Sequence, residues 1–160
     1  MRLQTSILVL AVSVLVGCAS GVSPEPPVGI IPPELSIRQL GGAGVAASQV
    51  SGPTPVNFRI QVFNPSSEDI ELQRVDFRTV GYGAYTISNA SRPFDKPIPS
   101  NKTIEVDTWI PAYANDTIIG VNGPATLRVT AYYKTPFGAF KQTYTKEVNR
   151  DLSPLPKPNN

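Results

Sequence analysis

Apolar residues alternate with polar ones along most of this chain, and nowhere after residue 18 do they recur at helical spacing. Val56, Phe58, Ile60 and Val62 on one face, against Asn57, Arg59, Gln61 and Phe63 on the other, form the clearest strand. Leu35, Ile37 and Gln39 predict an earlier one. Ile70–Thr79 predicts a third, in which the alternation changes phase by one residue between Leu72 and Val75, the mark of a β-bulge. Gly81-Tyr82-Gly83 then predicts a tight hairpin into a fourth strand through Tyr85, Ile87 and Asn89. A fifth follows through Ile104, Val106, Thr108 and Ile110, stopped by Pro111. Leu127, Val129, Ala131 and Tyr133 predict a sixth; a turn at Pro136 to Gly138 leads to a seventh through Phe140, Tyr144 and Val148. About seven strands, each with one apolar face, in a chain of this size predict an all-β, two-sheet sandwich over residues 35–150.

The ends of the chain read differently. Arg2 precedes an apolar run from Ile7 to Val16, about half the length a membrane-spanning helix needs, so residues 1–17 read as a secretory signal peptide. Residues 18–34 hold Pro24, Pro26, Pro27, Pro32 and Pro33 and predict an extended tether. Residues 151–160, with Pro154, Pro156 and Pro158, predict a loose tail.

Leu15-Val16-Gly17-Cys18 resembles the bacterial lipobox, in which a small residue precedes the Cys that becomes lipidated and then N-terminal. The resemblance implies that acyl chains such as palmitate hold Cys18 on a membrane, each buried methylene contributing about 0.8 kcal/mol. Ala19 and Ser20 follow where an Asp usually marks inner-membrane retention, which implies the outer membrane, with the domain facing the periplasm. Cys18 is the single cysteine, so no disulfide pins the sheets together.

Phe63-Asn64-Pro65-Ser66-Ser67, followed by Ile70-Glu71-Leu72, resembles type-two late embryogenesis abundant proteins, the group that includes the water-stress and hypersensitive-response (WHy) domain. Pro97-Ile98-Pro99-Ser100 and the hairpin Tyr133-Lys134-Thr135-Pro136-Phe137-Gly138 extend the similarity over about residues 35–148. The Gly- and Tyr-rich turn from Gly81 to Ala84 departs from it. The resemblance implies an immunoglobulin- or fibronectin-like sandwich and a stress-protective role by non-enzymatic contact. Asn64 and Pro65 are expected to act as a structural turn: Pro65 removes a ladder donor, and the Asn64 side chain bonds nearby backbone.

Catalytic chemistry is sparse. The chain has no His, and lipidation would consume the one thiol, which removes the usual general base and nucleophile. Glu105 and Asp107 share a strand face and could serve a hydrolase or a hard cation, but a solvated outer face is the simpler reading. Ser67, Glu68 and Asp69 lack the spacing of a calcium loop, so no metal or cofactor is expected. Asn89, Asn101 and Asn115 open glycan-acceptor triplets that a bacterial lipobox makes incidental. Without Arg2 the chain carries 13 basic and 12 acidic residues, a balance that implies no nucleic-acid partner. Tyr82, Tyr85, Tyr132, Phe137, Phe140 and Tyr144 gather around the two predicted hairpins and are the candidate contact surface for an envelope protein or lipid. The functional expectation is a membrane-anchored, non-enzymatic protective or binding module. The alternative is a structural accessory subunit of a multi-protein envelope assembly.

Overall fold

The computed structural model describes residues 22–40, 52–115 and 123–149. The expected signal peptide, Cys18 and the expected tail lie outside the described residues. Those described form eight strands: β1 (Glu34–Leu40), β2 (Thr54–Phe63), β3 (Ile70–Thr79), β4 (Tyr85–Thr86), β5 (Ala90–Ile98), β6 (Thr103–Ala114), β7 (Ala125–Thr135) and β8 (Gly138–Val148). One sheet has the order β1-β2-β6-β4 and the other β5-β3-β7-β8, with every neighbour antiparallel. This is an all-β sandwich of immunoglobulin/fibronectin-like type.

The alternation read in β2 translates directly into burial. Val56, Phe58, Ile60 and Val62 all face Leu72, Val75 and Phe77 of β3 and Leu127, Val129, Ala131 and Tyr133 of β7 across the core. The Phe58 and Phe77 rings stack across the sheets with centroids 6.0 Å apart. Burying an aliphatic or aromatic side chain of this size contributes about 1.5–3 kcal/mol, so these facing rows hold the sheets together. The change of phase in β3 is a bulge: the register to both β5 and β7 shifts between Leu72 and Arg74. It lets Leu72 and Val75, three apart, both point inward.

Four expectations need correction. Gly81–Gly83 is not a tight hairpin, because β3 and β4 belong to different sheets and the segment crosses between them. The strand expected through Tyr85, Ile87 and Asn89 is two residues of β4 followed by a change of sheet into β5. β5 went unread because Pro93 and Pro97 interrupt it. It is an edge strand, where a missing donor costs little. Pro111 does not stop β6, which runs on to Ala114. Pro111 lies opposite Pro55, beyond the reach of β1 on one side and of β4 on the other, so neither missing N–H breaks the ladder.

The Pro-rich stretch is not a free-standing tether. From Val22 onward it packs on the domain instead of standing clear of it: Ser23 makes a parallel bridge to Phe140, and Ile30 enters the core. The physical reason is Ile30, whose apolar side chain gains more from the core than an extended tether gains from water.

Candidate functional site

At one end of the sandwich the chain changes sheets twice, between β2 and β3 and between β5 and β6. Asn64 sits where the two crossings meet, and it is fully buried. Its Nδ2 donates to the carbonyl oxygens of Glu68 at 2.8 Å, Ile98 at 3.0 Å and Pro99 at 3.3 Å, while its Oδ1 accepts the Ser66 N–H at 3.0 Å. Its own N–H donates to the Lys102 carbonyl. Asn64 follows directly after Phe63, the last residue of β2, and Pro65 comes next. Ser66, also buried, donates through Oγ to the Ile31 carbonyl and accepts the Ile31 N–H at 2.8 Å. Asp69 accepts the Ser100 N–H at 2.8 Å. Two turns and the N-terminal segment are thus fastened by three short polar side chains, and both polar atoms of the Asn64 side chain are spent on backbone.

The carboxylates offered by the sequence for chemistry are tied to cations and amides on an exposed sheet face. Arg59 donates to both oxygens of Asp107, at 2.7 and 2.8 Å, and Gln61 donates to Glu105 at 3.1 Å. The hydrogen bond from Arg59 holds the Asp107 carboxyl below the usual carboxylate range. An open face with both carboxylates engaged offers no enclosed site for acid–base chemistry. Among the described residues no group of three or more His, Cys, Asp or Glu could hold a metal ion.

The six aromatic residues expected at a contact surface separate. Tyr85 and Phe140 are core residues: Tyr85 donates to the equally buried Gln39 at 3.0 Å, and Phe140 stacks on Tyr133 with centroids 5.2 Å apart. Tyr144 is half-buried and donates to the Pro33 carbonyl. Tyr132 lies partly covered beneath Arg74, whose guanidinium is 3.8 Å from the ring centroid. Tyr82, at 92% exposure, and Phe137 are open to solvent, but at opposite ends of the sandwich. Trp109 and Tyr113, both about half exposed, went unread, although they fall on the outward phase of β6 opposite Val106, Ile110 and Ala112. Arg92 reaches across from β5 to cover the Trp109 ring at 4.7 Å and donates to the Trp109 carbonyl. Tyr82 and Tyr113 share the end remote from Asn64.

No protein-family model matches the chain, and neither does any curated protein. Among solved structures, a Northeast Structural Genomics Consortium target is similar at 11% identity over 81% of this chain and 94% of its own, with a TM-score of 0.48. A candidate late embryogenesis abundant (LEA) protein, solved in solution, is similar at 14% identity over 72% of this chain and 70% of its own, with a TM-score of 0.47. The major subunit of aggregative adherence fimbriae type I from Escherichia coli is similar at 12% identity over 75% of this chain and 95% of its own, with a TM-score of 0.29. Similarity of this degree carries no conclusion about activity.

Proposed function

We propose that this chain is a lipid-anchored, non-enzymatic binding or protective module of the bacterial envelope, held at the outer membrane through Cys18 and facing the periplasm. The observation that supports it most is the polarity of the domain. Ser23 runs parallel to β8, so the chain reaches Ser23 from the side of the β7–β8 turn, the same end as Asn64. Cys18 is four residues before Val22, a reach of at most about 14 Å. The ten residues of β2 separate that end from the other by about 30 Å. An anchor at Cys18 therefore leaves Tyr82 and Tyr113 directed away from the bilayer, where aromatic side chains are suited to contacting a partner.

The test uses the intact lipoprotein and Cys18→Ser, labelled metabolically with a fatty acid. The parent should carry label and the variant none; label retained by Cys18→Ser sinks the anchor. Sizing after detergent extraction then separates the two kinds of module. A free monomer whose protection of a drying client enzyme drops in Tyr82→Ala/Tyr113→Ala supports the reading, whereas a discrete large complex favours a structural subunit of an envelope assembly.

A further inference from the structure

The outer face of the β5-β3-β7-β8 sheet carries a groove of about 840 Å³. Across its floor Arg78 of β3 lies directly opposite Arg128 of β7, and Arg128 lies directly opposite Thr145 of β8. Directly opposed residues hold their Cβ atoms about 5 Å apart, and like charges so placed destabilise a sheet. The other two arginines facing outward from the sheets' middle strands, Arg59 and Arg74, have carboxylate partners in Asp107 and Asp76. Arg78 and Arg128 have none among the described residues, and the Thr145 hydroxyl likewise makes no hydrogen bond there. The carboxylate beside them, Asp76, is taken up by Arg74 at 3.5 Å and by the Ser91 hydroxyl at 2.7 Å. Glu147, one step further along β8 opposite Thr126, pairs with neither arginine. Two guanidinium groups and a hydroxyl therefore stand in one row, all able to donate, in a concave face with no acceptor of their own.

We propose that Arg78, Arg128 and Thr145 form a binding site for a phosphomonoester group. A carboxylate matches one guanidinium fork with its two oxygens and brings one charge. A phosphomonoester brings between about 1.5 and 2 negative charges at pH 7 and three acceptor oxygens, which matches two cations and a hydroxyl in a row. The site is independent of the anchor reading, since its residues all belong to the sheet. A phosphatidic-acid headgroup, a phosphorylated sugar and free phosphate share this chemistry.

The test titrates the intact protein with inorganic phosphate, glucose 6-phosphate and dihexanoyl phosphatidic acid, with acetate as the monovalent control, following the arginine side-chain N–H signals by NMR. Saturable shifts confined to Arg78 and Arg128 are expected with the phosphates and not with acetate. Equal affinity for all three assigns recognition to the phosphate group alone; tighter binding of the lipid or of the sugar identifies the source. Arg78→Gln and Arg128→Gln should each weaken binding at least about tenfold. Thr145→Val, which leaves the charges in place, should weaken it less. Without phosphate, Arg128→Thr should melt at or above the parent temperature, because the like-charge pair is gone. Non-saturable shifts, equal shifts with acetate, or a lower melting temperature for Arg128→Thr would overturn the site, the last by showing that the arginine holds the fold.

Discussion

Asn64 serves four backbone groups with one side chain: the two Nδ2 hydrogens are shared among three carbonyls, and Oδ1 accepts the Ser66 N–H. The sequence showed that an Asn before Pro65 would bond local backbone, and the Ser66 and Glu68 contacts are of that local kind. It could not show that Ile98 and Pro99, thirty-four and thirty-five residues away, would arrive at the same amide. That depends on β5, a strand whose prolines hide it from any alternation count. Leaving a buried polar group without a partner costs about 1–3 kcal/mol. Asn64→Ala should therefore lower stability by about 3 kcal/mol, several groups being stranded together, and the urea midpoint compared with the parent measures it. Asn64→Asp should do no better, since a second oxygen would face the carbonyls of Ile98 and Glu68 where an N–H₂ now donates. A midpoint unchanged in Asn64→Ala would show that water replaces the amide at no cost.

Elements were legible where one face is buried and the other wet. β2, β3 and β7 follow their alternation into the core, and even the bulge in β3 is visible as a lost step of phase. The elements that escaped are those whose form is decided by neighbours. β5 is an edge strand interrupted by Pro93, Pro97 and the left-handed Asp95, and its burial is shallow except at Ile98. β4 is so short that its membership of a sheet rests on two pairs, Tyr85 with Ala114 and Thr86 with Tyr113. The N-terminal segment is held by Ile30 and by the two hydrogen bonds between Ile31 and Ser66, none of which has a periodic signature. Ile30 gives this segment a measurable share of stability. An Ile→Ala change in a core costs about 2–5 kcal/mol, and Ile30, at the border of the core, should fall near the lower figure. A fragment beginning at Pro33 should lose at least as much as Ile30→Ala, because it also exposes Ser66. Equal melting temperatures for fragments beginning at Val22 and at Pro33 would show that the segment merely rests on the surface.

For the molecule as a whole, the single cysteine rules out an internal disulfide, and folding rests on apolar packing with a few buried polar groups inside it. Two of these groups are tyrosine hydroxyls in the core. Tyr85 donates to Gln39, whereas the buried Tyr133 hydroxyl makes no hydrogen bond among the described residues. Burial pushes the pKa of both upward, and to a lesser degree that of Tyr144. An unfolded tyrosine ionises near pH 10. Below that pH both states keep their protons and stability does not depend on these groups. Above it the unfolded chain releases protons that the folded core retains, so unfolding is favoured. Each tyrosine should then remove about 1.4 kcal/mol of stability per pH unit until its folded pKa is reached. The urea midpoint should be level from about pH 8 to 9.5 and fall steeply from pH 10 to 12. Lysines deprotonate over the same interval, and Tyr133→Phe separates the two effects. This variant loses an unpaired buried hydroxyl, so at pH 8 it should match or exceed the parent by up to about 1 kcal/mol. Above pH 10 it should decline more gently, by one tyrosine's share of the slope. If the two curves run parallel from pH 8 to 12, Tyr133 ionises without unfolding the core, and water reaches its hydroxyl in the native state.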